Sequence, residues 1–186
     1  MKAKMAVALC LGFAAFGGAA PALAADPTAS LDRSFVEYTG DGPVGNNKVN
    51  DNKNFYWFFE STGTYLGQQV NSWFLFYDPK KTLEVRGTVS FDQTILYVFD
   101  DRSELRATKS FGDPDVKYDY RRRSIGLEDN DKADTSFAGN VLSLYWTAGN
   151  PGDHIRVMTA VPEAPTYALL ALGLVGMCTY LRRRRT

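Results

Sequence analysis

The stretch Glu128-Asp129-Asn130-Asp131-Lys132-Ala133-Asp134 places four carboxylates and an amide within seven residues. Hard oxygen ligands packed this closely suit Ca2+, which takes about six to eight of them. The spacing is not that of an EF-hand: counted from Asp129, the sixth position is Asp134, where that loop requires glycine. A solvated turn is therefore the expectation for residues 128–134, and no metal or cofactor is assigned. A second set of carboxylates, Asp92, Asp100, Asp101, Glu104 and Glu128, could supply the acid and base or nucleophile of glycoside hydrolysis. Nothing in their spacing singles out a pair, and no nucleophile elbow, phosphate loop or metal motif accompanies them. The chain is thus expected not to be an enzyme, with no catalytic residue assigned and a glycoside hydrolase as the distant alternative.

Three further groups carry chemistry. His154, the single histidine, opens the last predicted strand without a partner in sequence, and is read as a packed or edge residue. Arg121-Arg122-Arg123 closes a Tyr-Asp-Tyr run, and reads as a solvated strand end or a contact for anionic polysaccharide. Tyr56, Trp57, Trp73, Tyr77 and Trp146 could present ring faces to sugars, as aromatic faces do to bases. In a sandwich most of them belong to the core.

The elements that must position these residues are short and extended. Phe55 to Glu60 and Ser72 to Tyr77 are aromatic runs of strand length, the second stopped by Asp78-Pro79. From Thr82 to Phe91 the chain alternates, with Leu83, Val85, Gly87, Val89 and Phe91 on one face and Glu84, Arg86, Thr88 and Ser90 on the other. That period of two predicts a half-buried strand. Thr94 to Asp100 follows after only Asp92-Gln93, which suggests a hairpin. Val116 to Tyr120, Val141 to Thr147 and His154 to Val161 are the later candidates. Between the tails no apolar helical period runs for ten residues. The expected fold is all-β, an antiparallel β-sandwich of seven or eight strands, jelly-roll-like, over Asp26 to Ala160.

Charge and cysteine placement separate this body from its ends. Six of the 21 basic residues, Lys2, Lys4 and Arg182 to Arg185, lie in the tails; the other 15 face 21 acidic residues between Asp26 and Glu163, a net charge of −6. An acidic body argues against a nucleic-acid partner. Cys10 and Cys178 sit in apolar tail segments, so the body has neither a disulfide framework nor a thiolate zinc site.

The N-terminal residues Met1 to Ala25 read as a signal peptide: a basic start at Lys2 and Lys4, an apolar run from Met5 to Phe16, then Ala22-Leu23-Ala24 as the small-x-small site for signal peptidase. At the other end, Pro162 and Pro165 stop the preceding strand. Tyr167 to Leu181 carries no charge, and Tyr167 and Tyr180 suit interfacial belts. Its 15 residues give about 22 Å of helix, close to a span once flanking residues and snorkelling arginines are added. Arg182 to Arg185 would stay cytoplasmic, which leaves the body on the periplasmic side of the membrane.

A Pro-Glu-(x)-Pro turn, one apolar helix and a terminal arginine cluster, in that order behind a signal peptide, resemble the PEP-CTERM sorting signal. The resemblance makes Val161 to Thr186 the sorting segment, with Pro162, Glu163 and Pro165 as its recognition turn, Ala168 to Leu181 as the span and Arg182, Arg183, Arg184 and Arg185 as the stop. Ala164 makes the turn Pro-Glu-Ala-Pro where the family has Pro-Glu-Pro. The resemblance implies an exported protein whose tail exosortase reads and removes, associated with exopolysaccharide and biofilm matrix, first held in the membrane and then at the cell surface or outside. The body, through Gly87 to Phe91, Gly126 to Asp131 and Gly152 to Val157, is similar to other uncharacterised secreted PEP-CTERM proteins. The expected role is a non-enzymatic envelope or matrix protein that binds or scaffolds; a lectin-like domain for exopolysaccharide is the alternative.

Overall fold

A computed structural model describes residues 24–40, 42–45, 48–120 and 125–161. Ala22, Arg121 to Arg123, Pro162, Glu163, Pro165, the expected span and Arg182 to Arg185 lie outside the described residues. Leu23–Glu163 forms one compact unit.

Among the described residues nine strands make two sheets. β1 (Thr28–Leu31), β5 (Leu83–Ser90), β8 (Val141–Ala148) and β7 (Ser136–Ala138) form a four-stranded sheet in the order β1-β5-β8-β7. β2 (Ser34–Glu37), β3 (Asn54–Tyr65), β4 (Gln68–Tyr77), β9 (Asp153–Ala160) and β6 (Ile95–Phe99) form a five-stranded sheet in the order β2-β3-β4-β9-β6. The all-β class holds. Four and five strands replace the eight of a jelly roll, and β2 pairs β3 in parallel, so the sheets are not wholly antiparallel.

The predicted hairpin from Thr82–Phe91 into Thr94–Asp100 does not form: β5 and β6 lie in different sheets. Asp92-Gln93 instead carries the chain across the sandwich. The turn before β8 holds that crossing, with Phe91 N donating to Asn140 O at 2.9 Å and Ile95 N to Gly139 O at 2.8 Å. Hairpins form instead at β3–β4, closed by Leu66-Gly67 with Gly67 at φ +83°, and at β7–β8, closed by Gly139-Asn140. The strand expected over Val116–Tyr120 is absent as well. That segment is irregular backbone, with one isolated bridge, from Tyr118 to Val44, in place of a ladder.

Burial explains which strands read as continuous apolar runs. In β4, Trp73, Leu75 and Tyr77 face the core between the sheets, while Phe74 and Phe76 face a second cluster on the far side of the five-stranded sheet. β9 behaves alike, with Ile155 and Val157 inward and Met158 outward. Both strands are central and covered on both faces, so β4 runs apolar from Trp73 to Tyr77, while the polar residues of β9, His154 and Arg156 among them, are buried as well. β5 borders solvent on one side and keeps its alternation: Val85 and Val89 are buried, Glu84 and Arg86 exposed. Gly87 (φ +140°) lets β1 approach, since a Cβ there would sit 2.0 Å from Ser30 O.

The second cluster has a lid of its own. α1 (Arg102–Ala107), a 3-10 turn (Lys109–Phe111) and the irregular 113–120 segment bring Leu105, Phe111, Val116 and Tyr118 onto the outer face. α1 begins at a readable signal, Asp101-x-x-Glu104: Glu104 Oε2 accepts from the amides of Asp100 and Asp101 at 3.3 and 3.5 Å.

Under this lid lies a buried ion pair. Arg156 on β9 meets Glu60 on β3, Nε to Oε2 at 2.5 Å and Nη2 to Oε1 at 2.7 Å, both side chains fully buried. Ser72 and Tyr118 donate to the carboxylate at 2.7 and 2.8 Å. Arg156 Nη1 donates to Leu105 O at 3.1 Å and Thr108 Oγ1 at 2.6 Å, across to α1 and its C-cap. Burial disfavours the guanidinium's charge, and Glu60 more than restores it. Removing one partner strands the other as an unpaired buried charge, at a cost of about 3–5 kcal/mol. In equilibrium urea unfolding, Glu60→Leu and Arg156→Met should each lose that much. The double variant should lose at least ~2 kcal/mol less than their sum; additive losses would refute the coupling.

Candidate functional site

The acidic stretch is not the open turn expected. Asp129–Ala133 is a one-turn helix, α2, with Glu128 as its N-cap residue. It packs beside β8: Thr147 N donates to Asp131 Oδ1 at 2.9 Å, and Trp146 Nε1 to Thr135 Oγ1 at 2.8 Å. The segment leading into it is set by Gly126 (φ +112°), where a Cβ would lie 2.1 Å from Asp100 O. That close approach lets Leu127 N reach Asp100 O at 2.7 Å and Gly126 O accept from His154 N at 3.2 Å. The chain is thereby pinned between the end of β6 and the start of β9.

This pinning brings Glu128 and Asp131 beside Asp153, the first residue of β9. One carboxylate oxygen from each lies within 4.8 Å of the other two. Glu128 is exposed, Asp131 is 4 % exposed and Asp153 is 1 % exposed. No donor from another residue reaches Asp153 Oδ2, while the Glu128 carboxyl lies within hydrogen-bonding reach of the Asp153 side chain. Burial, with the charges of Asp131 and Glu128 close by, pushes its carboxyl up to about 9. Asp131 is raised as well, by burial against the Thr147 amide that lowers it. Two ionised groups this near repel by roughly 3 kcal/mol at an effective dielectric of about 20. Sequence reasoning named Glu128 and Asp131 but missed Asp153, which is remote in the chain; the only signal was a carboxylate directly after Gly152 at a strand start.

A second site lies over the lid. An open cleft of about 460 Å3 is lined by Arg102, Arg106, Lys117, Tyr118, Asp119 and Tyr120. Arg102 and Arg106 share one face of α1, four residues apart, while Leu105 is buried in the cluster beneath. Arg102 Nε donates to Tyr120 O at 2.7 Å, which ties helix to loop. Tyr118 and Tyr120 stack, with centroids 5.7 Å apart at 14°. Burial raises both phenols well above their ordinary value. Cationic groups beside stacked rings form a surface for flat, anionic ligands.

The remaining nominated residues have structural duties. Asp100, Asp101 and Glu104 come together, but Glu104 folds back on backbone amides and Asp101 forms an ion pair with Lys132. Asp92 lies elsewhere and accepts from Ala25 N at 3.0 Å. The sugar-stacking platform is not assembled. Trp57, Trp73, Tyr77 and Trp146 are buried, and half-buried Tyr56 donates to Asp51 Oδ2 at 2.6 Å. Of the expected signal-peptide site, Ala24 is described and packs against the inner core.

His154 is fully buried on a central strand, stacked on Phe76 at 5.9 Å and 10°. Neither ring nitrogen meets a well-aligned partner, and burial pushes its pKa down to about 4. An unfolded histidine takes its proton near pH ~6.5. Between these values the unfolded chain binds more protons, so the stability conferred by neutral His154 is full above the unfolded value and lost as pH falls towards 4. Asp153, raised in the folded state, acts in the opposite sense, so the histidine is isolated by comparison with His154→Phe. From pH 7 to pH 4 the wild type should lose ~2–3 kcal/mol more than the variant in urea unfolding; parallel pH profiles would overturn this.

No characterised protein and no solved structure matches this chain. No helix among the described residues is long and apolar enough to cross a membrane. The final residue of β9 is also where a family match begins. Residues 160–185 match the family model of the PEP-CTERM protein-sorting motif, so the chain carries the tail of an exosortase substrate, a tail that implies export and sorting at the membrane.

Proposed function

We propose that this is an exported envelope or matrix protein whose body binds or scaffolds without catalysis, delivered by its tail. The observation that carries the reading is the sorting motif at residues 160–185. Signal peptidase acts at the Ala22-Leu23-Ala24 site, exosortase acts in the sorting segment, and the body is held on the periplasmic side before it reaches the cell surface or the medium. The absence of catalysis is supported by the use of Asp92, Asp101 and Glu104 as partners of backbone amides and of Lys132.

The second reading is carbohydrate binding, favoured by the cleft over α1. Arg106 and Lys117 are exposed beside the Tyr118–Tyr120 stack. An acidic exopolysaccharide supplies what this surface recognises: a carboxylate for the cations and a sugar face for a ring. The buried tryptophans take no part.

Two experiments test these readings. Mass spectrometry of the protein from cells carrying Glu163→Ala with Arg182–Arg185→Ser should find the uncut precursor in membranes; a mature C-terminus identical to wild type would remove exosortase from the account. On arrays of uronate-containing polysaccharides, Arg106→Ala/Lys117→Ala should weaken binding at least tenfold, and raised salt should weaken the wild type. Wild-type binding to no glycan would leave scaffolding alone.

A further inference from the structure

The geometry points to a Ca2+ site formed by Glu128, Asp131 and Asp153, at the junction of α2 with the start of β9. The size of the triad fits such an ion. With Ca–O distances of about 2.3–2.6 Å, two ligand oxygens of one shell lie at most ~5 Å apart, and the three carboxylate oxygens here fall within 4.8 Å of one another.

A second observation points to a ligand independently of the cluster's charge. Asp153 is 1 % exposed, and no N–H or O–H of another residue donates to its Oδ2, so that its nearest polar neighbours are the other two acids of the triad. Buried polar oxygens are almost always hydrogen-bonded, and buried carboxylates are paired or bind metal. Lys132, which the same helix offers, is committed elsewhere, to Asp101. Among the described residues no ion pair reaches Asp131 or Asp153.

The donor set selects the metal. Three carboxylates with neither thiolate nor imidazole favour a hard cation over zinc or copper. His154, although next in sequence, stacks on Phe76 on the outer face of its sheet. Exposed Glu128 leaves the rim open to water, which completes a large, irregular shell more readily for Ca2+ than for Mg2+. Bound there, the ion would fasten α2 to β9, a link that no direct side-chain bond between Asp131 and Asp153 supplies.

The test uses the full chain in detergent micelles, unfolded by heat and followed by tryptophan fluorescence, to which Trp146 beside α2 contributes. Millimolar CaCl2 should raise the midpoint by roughly 3–6 °C over EGTA, with half-saturation at about 0.1–1 mM. MgCl2 should give less than half that shift. Asp153→Asn should abolish the Ca2+ response and raise the midpoint in EGTA. Glu128→Gln, at an exposed position where folding is not at risk, should weaken the response at least fivefold. Identical midpoints in CaCl2 and EGTA for the wild type, or a full shift that survives Glu128→Gln, would overturn the site.

Discussion

The pairing of Arg156 with Glu60 is the constraint around which the rest is arranged. Arg156 occupies the middle of β9, itself the strand between β4 and β6. Its guanidinium emerges on the outer face of the five-stranded sheet, within a cluster made mainly of apolar and aromatic side chains. Five hydrogen-bonding groups converge there, from β3, β4, α1, Thr108 and the irregular loop at Tyr118. The stability of the fold comes mainly from the apolar side chains, each large buried one contributing about 1.5–3 kcal/mol. The ion pair contributes arrangement: in the observed placement of the lid, Leu105 O and Thr108 Oγ1 accept from Arg156 and the Tyr118 hydroxyl donates to Glu60.

The same lid carries the cationic cleft. Leu105 and the Arg156 contacts fix one face of α1, and Arg102 and Arg106 necessarily leave by the other. The acidic triad at the junction of α2 and β9 is formed from different elements, yet it shares β9 with the ion pair. Positive and negative sites are thus both referred to one strand, and the overall acidity of the body describes neither.

Much of this was legible in the residues. Period-two alternation located β5, aromatic density located β3 and β4, and the composition of the tail located the sorting segment. The missed hairpin has a physical cause: Asp92-Gln93 is short enough to reverse a chain, but Ile95 and Val98 find apolar partners in the opposite sheet. The helices escaped notice because one or two turns carry no periodic signal, though Asp101-x-x-Glu104 marked the start of α1. Val116–Tyr120 looked like a strand because its residues alternate, whereas its tyrosines pack on the lid and its backbone pairs with almost nothing. Asp153 could not be joined to residues 128–134 from sequence, since their meeting depends on the left-handed turn at Gly126. The buried triad therefore belongs to tertiary structure, while the tail is local chemistry that can be read directly.

One topological fact bears on the mechanics of anchoring. The sorting motif starts on the last residue of β9, and β9 is bonded along its length to β4 on one side and, over Arg156–Thr159, to β6 on the other. A tether attached to an edge strand can peel it away one bond at a time. A load applied at this end of β9 would run along an inner strand, so that both ladders would resist together in shear.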